Sequence, residues 1–170
     1  MRLARVLITI SLLQLCGCPY ESSFEPTGAP APLRGSLIGR WICHVDSDAE
    51  ETRLLLGWAG ESAYQLVLRP NTADWQDENG KVPEVLFAVA RRISGREIWS
   101  IWEVEKEESE RKIGFAELLR ADRTNLVLSW LGNREDSKEP EIPPTPESLA
   151  ELLVSPQTKV ENTVQCTRQQ

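Results

Sequence analysis

The residues from 35 to 170 predict a mainly β domain, an antiparallel barrel or strongly curved sheet of about eight strands with one short C-terminal helix. Short segments rich in β-branched and aromatic residues recur along this stretch, and turn residues separate them. In residues 63–69 apolar and polar positions alternate, which is the pattern of a half-buried strand. The length suits one domain with a hydrophobic core of its own.

The strands are predicted in order at 37–45, 51–58, 63–69, 85–93, 98–104, 113–119, 125–131 and 159–168. Short turn sequences at 94–96 and 121–124 predict two hairpins. The helix is predicted just before the last strand, because Thr145 can cap it and Pro146 suits the first helical position. Glu147 then meets the positive end of the helix dipole, and leucines at 149, 152 and 153 share one face.

Residues 1–17 have the features of a bacterial lipoprotein signal peptide. Arg2 and Arg5 precede an apolar run over residues 6–15, which is too short to cross a bilayer as a helix. The sequence Leu-Cys-Gly-Cys at 15–18 resembles the lipobox of lipoprotein precursors, which implies cleavage before Cys18 and acylation of Cys18. Cys16 is the alternative acceptor, although it would place the bulky Leu15 where the peptidase needs a small residue. An ordinary signal peptide is the other alternative.

This resemblance implies attachment to a membrane on its non-cytoplasmic side. Two or more acyl chains make such an anchor effectively permanent. Pro19 stands where an inner-membrane lipoprotein would carry Asp, so the outer membrane is expected if the host has two membranes. Residues 18–34 contain four prolines and no periodic apolar pattern, which predicts a flexible tether with a reach of roughly 20 Å.

Two cysteines, Cys43 and Cys166, remain in the domain once Cys16 is removed and Cys18 is acylated. In an exported chain such a pair predicts a disulfide. The alternative is a pair of free buried thiols. A bridge would join the first strand of the domain to the last, as expected if the sheet closes on itself.

The segment 37–41, Leu-Ile-Gly-Arg-Trp, resembles the Leu-x-Gly-x-Trp opening of lipocalin-like barrels. This resemblance implies that Trp41 closes the floor of a barrel. The layout is also similar to a group of bacterial lipoproteins of no agreed activity. The shared features are a Gly-x-Trp-x-Cys first strand, a hairpin around 92–96 and a Leu-rich helix before the last strand.

The charge of the chain argues against nucleic acid as a partner. Without Arg2 and Arg5, 17 basic residues face 26 acidic ones, a net charge of about −9, and phosphate binding depends on Lys and Arg. The expected partners are the membrane, through the lipid anchor, and either a small apolar ligand or an envelope protein. Among six tryptophans, Trp75 and Trp99 are the candidate contact residues, with simple packing as the alternative.

No catalytic, metal-binding or cofactor site is expected. His44, the one histidine, lacks a recognisable nucleophile motif, and the acidic residues at 46–51 lack the spacing of an EF-hand. The acidic residues at 103–110 fit a charged loop. The sequence therefore favours a membrane-anchored, noncatalytic binding or interaction module. The alternative is a structural or assembly lipoprotein with a filled barrel that contacts another envelope protein.

Overall fold

The computed structural model describes residues 18–46, 51–70, 84–104, 111–133 and 143–169. A 3₁₀ helix spans Gly35–Leu37, and the α-helix α1 spans Pro146–Leu153. The strands are β1 (Cys18–Pro19), β2 (Glu21–Ser22), β3 (Ala29–Pro30), β4 (Gly39–Val45), β5 (Glu51–Ala59), β6 (Ala63–Pro70), β7 (Glu84–Ile93), β8 (Arg96–Glu103), β9 (Ile113–Ala121), β10 (Asn125–Asn133) and β11 (Lys159–Arg168).

Strands β4 to β11 form a closed antiparallel barrel of eight strands. Each pairs with the next along the chain, and β11 pairs back onto β4 from Val164↔Val45 to Arg168↔Trp41. This confirms the predicted fold class, a lipocalin-like barrel with one short helix in the described part of the chain. The helix also begins as predicted: Thr145 and Ser148 form a capping box, and Pro146 occupies the first turn.

The two ends of the barrel differ, and we call them the turn end and the loop end. At the turn end, tight turns join β5 to β6, β7 to β8 and β9 to β10. Ser94 and Gly95 both have positive φ angles, 50° and 83°, which matches the twist of a two-residue hairpin. At the loop end, β4, β6, β8 and β10 lead into the undescribed stretches 47–50, 71–83, 105–110 and 134–142.

Large side chains fill the described barrel interior. Trp41, Tyr64 and Trp99 have no exposed surface, and aliphatic side chains from strands β5 to β11 pack around them. The interior positions follow the period-two alternation of the strands. Those of β7 are Leu86, Ala88 and Ala90, and the two alanines leave room for the rings that enter from the neighbouring strands.

A second apolar cluster lies outside the barrel, on the outer face of β8, β9 and β10. Leu149 and Leu153 of α1 are fully buried against this face. Tyr20, from the N-terminal end, is 3% exposed in the same cluster. The cluster also contains buried barrel residues that point outward, Ile93, Ile98, Ile113, Phe115 and Leu131.

The prediction that residues 18–34 form a flexible tether is wrong. The segment, which we call the N-terminal strap, pairs through β1 with β10, through β2 with β9 and through β3 with β7. Tyr20 and Ala31 are buried. The strap lacks periodicity because its apolar residues enter two different clusters at irregular intervals. The described fold therefore includes residues 18–34 as well as the predicted domain from residue 35.

Candidate functional site

Cys43 and Cys166 form a disulfide inside the barrel, as predicted. They are direct partners on β4 and β11, with Cα atoms 4.0 Å apart, and both side chains are almost completely buried. The bond crosses the seam at which the last barrel strand meets the first. The thiol of Cys43 is therefore not available as a nucleophile.

His44 points to the other face of β4 and is half exposed. Its Nε2 atom lies 3.7 Å from Glu51 Oε1, across the β4–β5 pair. Among the described residues, no group of three His, Cys, Asp or Glu side chains could hold a metal ion. The acidic stretches 47–50 and 105–110, and the signal segment with Cys16, lie outside the described residues.

Trp99 belongs to a stack of three aromatic rings that runs from the interior to the surface. Its ring stacks on Tyr64 at 4.8 Å, and Tyr64 stacks on Trp58 at 5.8 Å. The indole N–H of Trp99 donates to Glu97 at 3.1 Å. Trp99, predicted as a possible ligand or partner contact, has no exposed surface and so does not lie on the outer surface of the barrel. Trp75 lies outside the described residues, whereas Trp58, which sequence reasoning did not select, is 47% exposed.

The floor of the barrel is closed at the turn end by the segment that resembled the lipocalin opening. The indole N–H of Trp41 donates to the Leu37 carbonyl at 2.9 Å. The Arg168 guanidinium lies 5.5 Å from the centre of the Trp41 ring and donates to the Ser36 and Ile38 carbonyls at 2.7 and 2.6 Å. Gly39 makes this approach possible, with φ +146° and Arg168 Nη2 2.9 Å from where a Cβ would be.

An open cleft of about 490 Å³ lies beside this floor, and we call it the arginine cleft. Four arginines reach it from different parts of the chain, because the β7–β8 turn, the end of β9 and the approach to the 3₁₀ helix meet there. Two glutamates lie among them. The charged lining consists of Arg34, Arg92, Arg96, Arg120, Glu97 and Glu117.

Both glutamates of the arginine cleft are already engaged. Glu97, 8% exposed, accepts from Arg34 at 2.5 Å as well as from Trp99. Glu117 accepts from Nε and Nη2 of Arg96 at 2.8 and 2.5 Å, and this hydrogen bonding raises the pKa of Arg96 although burial opposes the shift. Sequence reasoning missed the cleft because its arginines are far apart in the chain, although the predicted hairpins at 94–96 and 121–124 mark the same end of the barrel.

The backbone of Cys18 lies at the loop end. Cys18 and Pro19 pair with Asn133 and Gly132 of β10, and the Tyr20 amide donates to the Leu131 carbonyl at 3.1 Å. The proposed acylation position is thus part of the sheet. Within the described ranges, no helix is long and apolar enough to span a bilayer.

Comparison with known proteins finds no matching family model, no matching curated protein and no matching solved structure.

Proposed function

We propose that this chain is a noncatalytic lipoprotein of the bacterial cell envelope, anchored through Cys18, that contacts another envelope protein with the outer surface of a filled barrel. The proposal combines the lipobox at 15–18 with the geometry of the barrel. It selects the assembly role over the small apolar ligand, which was the other partner that the sequence left open.

The filled interior is the observation that carries this proposal. A barrel that holds a small ligand needs a chamber lined by apolar side chains. Here Trp41, Tyr64 and Trp99 occupy the turn-end half of the interior, with the disulfide and several leucines beyond them. Recognition by the described part of the protein is therefore assigned to its outer surface.

The attachment of the strap supports a role close to the membrane. With Pro19 paired to Gly132 and Tyr20 buried, few free residues separate an acyl group on Cys18 from the barrel. A protein held this closely meets partners that are themselves near or in the membrane. The chemistry of the surface fits recognition better than catalysis, since Cys43 is oxidised and His44 faces a half-exposed glutamate.

Two cysteine variants test the anchor. In cells fed radiolabelled palmitate, the Cys16→Ser protein should be labelled like the original, and the Cys18→Ser protein should remain unlabelled. Label on the Cys18→Ser protein would contradict the proposed acceptor. If the host has two membranes, fractionation should place the labelled protein with outer-membrane markers.

An apolar fluorescent probe tests the filled interior. N-phenyl-1-naphthylamine brightens in apolar cavities, so titration of the folded Cys18→Ser protein should give no saturable increase in fluorescence at micromolar protein. Stoichiometric binding would show a chamber and favour the small-ligand function instead. The unfolded protein in urea serves as the control for nonspecific probe binding.

A further inference from the structure

We propose that the arginine cleft binds an acidic peptide segment of a partner protein, one whose carboxylates are flanked by apolar side chains. The inference rests on the proposed function in one respect, that the ligand is part of another protein. It names where that partner binds and the chemistry that the partner brings.

The charged side chains of the arginine cleft differ in whether they already have a partner. Both carboxylates in the lining are engaged, Glu97 by Arg34 and Trp99, and Glu117 by Arg96. Within the described chain, no hydrogen bond or ion pair engages the exposed side chain of Arg92. Arg34 is 34% exposed with its Nη2 on Glu97, and Arg120 is 63% exposed with its Nε donating to Asp122 at 2.8 Å. The cleft therefore presents one unengaged guanidinium, that of Arg92, which an added carboxylate can bind in bidentate fashion, with the partly exposed Arg34 and Arg120 beside it.

Two arginines of the cleft, Arg96 and Arg34, are held in place by contacts within the protein. Arg96 uses its remaining nitrogen on the Leu153 carbonyl at 3.4 Å, so it is held in place by both Glu117 and the end of α1. Arg34 is tied to the buried Glu97. Since Arg34 and Arg96 are already ordered, binding at the cleft loses less side-chain entropy than binding to free surface arginines. Among the cleft arginines, Arg92 is then the main side chain that loses conformational freedom when an anion binds.

The arginine cleft also has an apolar wall, formed by Leu118 and Leu119. Leu119 is 53% exposed at the wall of the cleft, and Leu118 lies beside it. The cleft opens to solvent, whereas sites for small molecules enclose most of their ligand. A peptide that crosses the opening can place a carboxylate on Arg92 and an apolar side chain on Leu119. Arginine is enriched among the residues that dominate binding energy at protein interfaces, and burial of the exposed Leu119 side chain adds an apolar contribution.

Isothermal titration tests the proposal with the Cys18→Ser protein and a synthetic peptide of alternating Glu and Leu. The peptide should bind in low salt, and a Lys-Leu peptide should not. Arg92→Ala should weaken binding about tenfold or more, since a hydrogen-bonded charge pair is lost. Arg40→Ala, an exposed arginine outside the cleft lining, is the matched control and should leave binding unchanged.

Three results would overturn the proposal: no binding of the Glu-Leu peptide, equal binding by the Arg92→Ala and original proteins, or competition by inorganic phosphate or phosphatidylglycerol vesicles at least as strong as by the peptide. The last result would reassign the cleft to phosphate groups. None of these outcomes bears on palmitate labelling of Cys18 or on the filled interior. Failure of this inference is thus distinguishable from failure of the proposed function.

Discussion

Removal of the disulfide between Cys43 and Cys166 should destabilise the barrel strongly. The two residues are 123 positions apart in sequence, so the bond restricts nearly the whole unfolded domain. On the chain-entropy model a closed loop of this length contributes about 5 kcal/mol to the free energy of unfolding. For a domain of this size each kcal/mol corresponds to about 2–4 °C, so the unfolding temperature should fall by about 10–20 °C.

The assay is urea and thermal unfolding of the Cys18→Ser protein, compared with the same protein carrying Cys43→Ala and Cys166→Ala. Reduction of the bond with dithiothreitol is the control, because it keeps both sulfur atoms and so separates the lost cross-link from the lost packing. A change in the free energy of unfolding below about 1 kcal/mol in both comparisons would refute the entropic reasoning.

Three further predictions address the strap, the floor and the aromatic stack. Tyr20→Ala should lower the free energy of unfolding in urea by about 3–5 kcal/mol, because it empties a buried aromatic site, whereas a free tether would show no change. Gly39→Ala should lower the free energy of unfolding by about 1–3 kcal/mol, because the φ angle at this position is +146°. Gly57→Ala should be tolerated, since no neighbouring side chain or strand lies within 4 Å of the position that its Cβ would take. Burial raises the pKa of Tyr64 above 10.0, so the folded state holds this proton more tightly. The free energy of unfolding should therefore be retained below pH 10 and fall as the pH rises beyond it. In the Tyr64→Phe protein the urea midpoint should lose this part of its dependence on pH.

The barrel was predictable because its main signals are local. Alternation in 63–69 and the turns at 94–96 and 121–124 each specify a strand or hairpin without reference to the rest of the chain. The helix start depends on the adjacent residues Thr145 and Pro146, and the structure keeps both in those roles. The cysteine pair followed from the predicted export of the chain and from the predicted removal of Cys16 and acylation of Cys18.

The features that the sequence did not predict depend on contacts between distant segments. In β8, Ile98 and Trp99 are both fully buried although they point to opposite faces, because α1 and the strap cover the outer face of that strand. Alternation therefore could not show which tryptophan is exposed. The strap is ordered by short pairings with β7, β9 and β10 and by burial of Tyr20 and Ala31, and these contacts leave no periodic signal in residues 18–34.

The proposed anchor at Cys18 and the arginine cleft lie at opposite ends of the barrel, and the charge of the chain differs between these ends. The four undescribed stretches that leave the loop end contain 13 acidic and 4 basic residues, which equals the net charge of about −9 of the mature chain. The described residues are correspondingly balanced. Cys18 pairs at the same end, so the proposed acyl group would hold the loop end of the barrel nearer the membrane than the turn end. An acidic partner meets the arginines at the turn end, where the described charge is favourable to it, so electrostatic steering favours its approach to the arginine cleft.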